Sequence, residues 1–360
     1  MLNIRFEKAP KLKEKPDQNN LGFGKYYTDY MFVMDWYKGK GFVDPRIVPY
    51  APIPMDPACL VLHYAQETFE GMKAYRTKDN RILLFRPEMN AKRFQTSNRR
   101  LCMPEVPVED FVQAVKELVK VEKDWVPSAP NTSLYIRPFM FAYQPKLGVH
   151  DSEHYLFMII LSPVGSYYKE GLKPVKIYVE ENMVRAVTGG TGFTKCGGNY
   201  ASSILAQIEA EAKGYSQVLW LDGVHKKYIE EVGTMNVMFK VNGEIYTAPA
   251  ELGKGSVLPG VTRDSMIHLL RDKGYVVHDT EEDRLSIDDL LKAAKEGKLE
   301  EAFGTGTAAV ISPIGVLAYQ DKVFFNNENI GPVSQMLFDT LTGIQWGNLE
   351  DKFGWTIEVK

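Results

Sequence analysis

The chain reads as an α+β protein of two domains, the second built on antiparallel strands. Three observations predict this. Its 360 residues, 44% of them hydrophobic, suffice for two cores of ordinary size. The first half alternates aromatic-rich β segments with segments of helical period. The second half carries Asn242-Gly243 between two strand-like runs, the strongest short hairpin signal in the sequence.

In chain order, strands are expected at 30–36, 81–85, 134–142 and 155–162, where aromatic and aliphatic residues concentrate. Pro87 can open a helix, and the good helix formers that follow run until Pro104 stops them. Phe111, Val112, Val115, Leu118 and Val119 recur at helical spacing and predict a second amphipathic helix. Turn formers collect between Ser162 and Pro174, which makes this the best candidate for a linker. The division we expect is a small α/β domain over 1–166, a connection over 167–177 and a large domain over 178–360. Beyond it, ASSILAQIEAEAKG reads as a helix with Ile204, Leu205 and Ile208 inward and Gly214 as its stop. QVLWL, MNVMFKV and EIYTA read as strands, Pro259-Gly260 leads into a helix carrying Met266, Ile267 and Leu270, and Ser286 and Asp289 have near capping-box spacing.

Composition narrows the function. The net charge is −3 with both signs interspersed, so neither nucleic acid nor an anionic membrane surface is indicated, and the partners expected are small molecules. Three cysteines without CxxC spacing argue against a disulfide framework or a zinc site, hence no metal and a reducing compartment. No run approaches 18 apolar residues and the first twenty residues lack an apolar core, so a cytoplasmic enzyme is expected.

The chemistry concentrates in TGGTGFTKCGGNY, residues 188–200, and EEVGTMN, residues 230–236. With 43 lysines and arginines in the chain, any one is by default a solvated surface charge. Lys195 stands apart because five glycines surround it, with Tyr200 and Glu231 within folding reach. A lysine amine that forms a Schiff base, and a carboxylate that keeps a pyridine nitrogen protonated, are what pyridoxal 5′-phosphate (PLP) requires. A phosphate could be held by GVTRDS, where Val261 and Thr262 open a helix, or by the glycine-threonine turn FGTGTAA. Either turn alone is a weak signal.

Eight separated stretches then carry a resemblance: FGKYYTDYMFVMDW, LHYAQETFEGMKAYR, LFRPEMNAKRF, SLYIRPFMF, FTKCGGNYASS, EEVGTMN, LPGVTR and FGTGTA. In order and approximate spacing the chain resembles the branched-chain amino acid aminotransferases, of the fold-type IV (class IV) PLP enzymes. The resemblance implies the two-domain, D-amino acid aminotransferase-like fold, with a barrel-like antiparallel core in the PLP-binding domain. It also implies reversible ping-pong transamination of leucine, isoleucine and valine with 2-oxoglutarate.

Carried over residue by residue, the resemblance implies that Lys195 holds the cofactor and shuttles the proton, Glu231 meets the pyridine nitrogen and Tyr200 the phenolic oxygen. Arg93, Val261, Thr262 and Thr307 would take the phosphate, with Thr234 also at the cofactor. The α-carboxylate would meet Thr307 and Ala308, helped by Tyr64. Phe23, Tyr64, Tyr135 and Tyr167 match an aromatic wall, and Arg137 matches the group that meets the glutamate γ-carboxylate. Leu147 and Val149 resemble a loop that reaches the neighbouring subunit's site, which implies a homodimer. Where some mammalian members carry a CxxC, this chain has Ala309 and Ser312, so no thiol switch is expected there. A D-amino acid aminotransferase or aminodeoxychorismate lyase would share Lys195 and Glu231 but not the SLYIRP and FEGMKAYR contexts. A PLP-free Schiff-base lyase or aldolase, and a non-enzymatic phosphate binder, are the more distant alternatives.

Overall fold

The structure, a computed structural model, describes residues 1–165 and 172–360. Tyr167 and the middle of the Ser162–Pro174 connection lie outside the described residues. In chain order the elements are β1 (Arg5–Phe6), β2 (Tyr30–Tyr37), β3 (Gly41–Pro49), α1 (Leu60–Tyr64), β4 (Glu67–Phe69), β5 (Met72–Arg76), β6 (Ile82–Phe85), α2 (Pro87–Arg100), α3 (Val108–Val121), β7 (Ser133–Ala142) and β8 (His154–Val164). There follow β9 (Val175–Val179), α4 (Gly197–Ala201), α5 (Ile204–Ala212), β10 (Gln217–Leu221), β11 (Ile229–Val232), β12 (Met235–Val241), β13 (Glu244–Thr247), α6 (Val261–Asp272) and β14 (Val277–His278). The last are α7 (Ile287–Lys295), β15 (Leu299–Gly306), β16 (Val310–Tyr319), β17 (Lys322–Asn326), α8 (Pro332–Gln345) and β18 (Thr356–Glu358). The chain divides into two compact units, Met1–Lys169 with Thr194–Gly197 and Gly343–Lys360, and Glu170–Phe193 with Gly198–Thr342.

The first unit is a sheet of order β1-β3-β2-β8-β7-β5-β6-β18, with β4 pairing β7 to one side. Its long central pair, β7 and β8, is antiparallel over ten register positions and rich in β-branched and aromatic residues, as a buried strand pair requires. Pro87 sits in the first turn of α2, where its missing N–H costs nothing. Phe94 of α2, Phe111 of α3 and Phe157 of β8 meet ring to ring, with centroids 5.5–5.8 Å apart, and lock both helices to one face of the sheet.

One buried group makes this unit sensitive to pH. Just past α3, Glu122 accepts the Tyr30 amide hydrogen, close to Asp29, which itself accepts from Trp125 Nε1 at 2.7 Å. Burial pushes Glu122 up to about 7, against the Tyr30 amide and reinforced by Asp29. A carboxyl raised this far favours the fold fully below its unfolded value and loses that contribution as pH rises through about 7. Glu122→Gln, which stays neutral, is therefore expected to stabilise the protein by up to about 3 kcal/mol at pH 8 and by close to nothing at pH 4. Thermal unfolding across that range checks it; a difference independent of pH would contradict the assignment.

In the second unit β11, β10, β9, β16, β15 and β12 close on themselves through the β11–β12 pairing, which gives a barrel. The ring is mixed, because both neighbours of β9 run parallel to it. For β10 the reason is the connection: α4 and α5 lie between β9 and β10, and a crossover of that length returns the chain in the same direction. Asn242 and Gly243, both at positive φ (51° and 84°), make the expected hairpin turn between β12 and β13. The Ser286–Asp289 capping box is complete at the start of α7, and Met266, Ile267 and Leu270 are buried on α6.

The orientation of α5 is the reverse of the one its sequence suggests. Ile204, Leu205 and Ile208 are 54–56% exposed, while Ala206 and Ala210 face the core against Val218 and Trp220 of β10. Small residues let this helix approach its strand closely, and the large apolar ones form the outer face.

Candidate active site

In the first unit the Thr194–Gly197 stretch is strapped down from two sides. The Lys195 amide donates to Ser97 Oγ of α2 at 2.9 Å, and its carbonyl accepts the Phe69 amide of β4 at 2.9 Å. The Gly197 amide donates to Glu67 of β4, and a Cβ at position 197 would overlap that carboxylate at 2.3 Å, so a side chain there would have to displace Glu67. These contacts aim the Lys195 side chain at the Phe69 ring, with Nζ 4.7 Å from its centroid. Burial, then the nearby Arg93, lower Lys195 to about 8, with Glu70 and Tyr135 opposing.

Arg93 of α2 and Glu70 form a buried bidentate pair, Nε to Oε1 and Nη2 to Oε2, both 2.8 Å, and Asn90 donates to the same carboxylate at 2.8 Å. The arginine is thereby oriented by a neighbour twenty-three positions away, which sequence reasoning missed. Phe69, Glu67 and Glu70 were all legible as letters of QETFEG, but nothing in spacing alone told which would face Lys195.

On β7, Arg137 Nη2 donates to the Tyr135 hydroxyl at 2.8 Å, and the guanidinium lies 4.7 Å from the Phe69 centroid. Its buried Nε donates to no group among the described residues. Phe23 meets the Tyr135 ring edge-on at 4.9 Å, and Gly71 leaves room for the Tyr135 hydroxyl, which a Cβ would meet at 2.2 Å. Tyr64 accepts the Gly148 amide hydrogen at 2.8 Å, which ties it to the loop carrying the exposed Leu147 and Val149. The structure thus brings Lys195, Arg93, Tyr135, Arg137 and Phe23 together, with Tyr64 held against the 147–149 loop.

In the second unit, register does the gathering. Glu231 pairs with Asn236 across β11 and β12, and Asn236 with Thr305 across β12 and β15, so the Thr307–Ala309 turn lies just past Thr305. Glu231 is buried, accepts the Leu258 amide hydrogen at 2.7 Å and sits 3.3 Å from Arg185 Nε. Arg185, unforeseen from the sequence, holds this carboxylate in a low-polarity surrounding where an unpaired charge would be costly. Gly260 packs on Asn236 Oδ1 so closely that a Cβ would lie 2.0 Å from it, and as the N-cap of α6 it has no side chain to offer the Val261 and Thr262 amides. Those amides, with the helix dipole behind them, suit an anion. Val310 closes the glycine-threonine turn at φ 65°, rare for a β-branched residue, with Ile311 donating to Ala309 at 2.8 Å. Tyr200 is half-buried in α4, Thr307 and Ala308 are half-buried in their turn, and Thr234 is exposed between β11 and β12.

Residues 67–316, well over half of the chain, match the family described as Amino-transferase class IV. The chain belongs to the class IV aminotransferases. Among relatives of this aminotransferase, a Bacillus subtilis (strain 168) branched-chain-amino-acid aminotransferase 2 is 56% identical over 99% of this chain and 97% of its own length. The Escherichia coli branched-chain amino acid aminotransferase structure superposes with a TM-score of 0.71 at 25% identity, covering 92% of this chain and 99% of that one. The T.th. branched-chain amino acid aminotransferase, solved as a complex with N-(5′-phosphopyridoxyl)-L-glutamate, gives a TM-score of 0.69 at 27% identity over 91% of this chain and 98% of that one.

The donor set of this aminotransferase fits PLP. In the first unit a lysine lowered to about 8 could supply the amine; in the second, a buried carboxylate fixed by Arg185 and an amide could serve a ring nitrogen, and a helix start with no capping side chain could seat an anion.

Proposed function

We propose that the chain is a branched-chain amino acid aminotransferase that uses PLP to exchange the amino groups of L-leucine, L-isoleucine and L-valine with 2-oxoglutarate. The observation that carries this reading is the end-to-end 56% identity to the Bacillus subtilis relative of that name. Lys195 would carry the cofactor, Glu231 would pair with the pyridine nitrogen, and Tyr200 would hydrogen-bond the phenolic oxygen. Arg93, Val261, Thr262 and Thr307 would hold the phosphate, with Thr234 alongside. When bound, PLP supplies an electron sink for the charge that develops at the substrate Cα. Lys195 Nζ takes the Cα proton and returns it, as a base lowered towards neutrality can.

Thr307 and Ala308 would bind the α-carboxylate, with Tyr64. Phe23, Tyr135, and in the same role Tyr167, would wall the apolar side chain, and Arg137 would receive the glutamate γ-carboxylate through the guanidinium N–H groups Tyr135 leaves open. Exposed Leu147 and Val149, and the outward face of α5, support a homodimer in which that loop completes the partner's site. A cytoplasmic location is supported by three unpaired cysteines. A steady-state panel of leucine, isoleucine, valine, phenylalanine, methionine and D-alanine against 2-oxoglutarate tests the reading. Branched L-amino acids should lead the panel; a preference for D-alanine would overturn it.

A further inference from the structure

β4 pairs with β7 so that Glu67 lies opposite Phe141 and Phe69 opposite Phe139, with Arg137 the next β7 residue on that same face. Glu67, Phe69 and Arg137 therefore share one side of the sheet, and the Arg137 guanidinium and the Lys195 ammonium both lie 4.7 Å from the Phe69 ring centroid. Glu67 is the carboxylate this patch holds at the far end of β4, anchored by the Gly197 amide. It makes no ion pair with Arg137 among the described residues, yet each lies in the other's field. The other charged or titratable groups facing this patch are Tyr135 from β7, Glu70 after β4 and Arg93 from α2.

We propose that Glu67 is a specificity-determining residue: its fixed negative charge on the Arg137 face weakens the attraction of that arginine for a dicarboxylate, and so sets the balance between 2-oxoglutarate and the branched oxo acids. This rests on the reading of Arg137 as the γ-carboxylate partner. A second carboxylate arriving at Arg137 meets like charge from Glu67 in a partly desolvated place, whereas an apolar side chain meets none. Burial raises Glu67 above the usual carboxylate range, and the Gly197 amide and Arg137 pull it back.

The test is the ratio of kcat/KM for 2-oxoglutarate to that for 4-methyl-2-oxopentanoate, measured on the PLP-loaded enzyme for wild type, Glu67→Gln, Arg137→Ala and the double variant. Glu67→Gln keeps the oxygen that accepts from Gly197 and removes the charge. It is expected to raise the ratio by about three- to tenfold at pH 8 and to leave it unmoved in the Arg137→Ala background. A purely structural role for Glu67 would lower both constants together without changing the ratio, and that result, or an equal rise without Arg137, would overturn the proposal. If Arg137→Ala does not separate the two oxo acids, the reading of Arg137 falls and takes this one with it. If it does and Glu67→Gln leaves the ratio flat, only the role of Glu67 falls.

Discussion

Lys195→Ala is expected to abolish the visible absorbance of the bound cofactor and to lower turnover by about a thousandfold or more, because on the proposed reading one side chain supplies both the attachment and the proton transfer. The environment readies this lysine for attachment. An amine attacks an aldehyde only when uncharged, and a value of about 8 leaves about a tenth of Lys195 in that form at pH 7, against well under a thousandth for an ordinary lysine. Burial is the first cause and Arg93 the next, while Glu70, paired to Arg93 on both oxygens, limits how far the shift can go. Retention of near wild-type turnover in Lys195→Ala would remove the assignment.

The second large effect concerns substrate choice. Arg137→Ala should cut kcat/KM for glutamate and 2-oxoglutarate by about ten- to a hundredfold, the worth of a charge-assisted contact in a partly desolvated site, and harm leucine far less. On the proposed reading three contacts suit Arg137 to a carboxylate: Tyr135 fixes Nη2, the Phe69 face supports the guanidinium, and the buried Nε has no partner among the described residues. Parallel steady-state measurements with glutamate and leucine decide it. Equal losses for both would mean the arginine serves the sheet and not the side-chain pocket.

Much of the fold and of the candidate site is legible in the amino-acid sequence, and what is not has a common cause. Local signals hold: Pro87 opens α2, Asn242-Gly243 turns a hairpin, and Ser286 and Asp289 close a capping box, because each depends on residues within a few positions. Pairings between distant segments do not announce themselves. Glu70 with Arg93, Arg185 with Glu231, and the return of the C-terminal strand β18 to β6 depend on tertiary approach that no periodicity encodes. The reversed face of α5 has a different origin. A stripe of Ile204, Leu205 and Ile208 looks the same whether it faces the core of its own chain or an outer surface, and only the alanines at 206 and 210 hint at which side packs. The motifs around Lys195 and Arg137 stand out as letters, yet their neighbours Phe69 and Glu67 acquire meaning only through β4, which braces both the lysine segment and β7.

The Schiff base offers the most direct test. Reduction of the purified, PLP-loaded protein with borohydride, followed by peptide mapping, should leave a single pyridoxyl tag on the peptide spanning residues 188–200, at Lys195. A tag on any other lysine, or no tag on a protein that still transaminates, would contradict it.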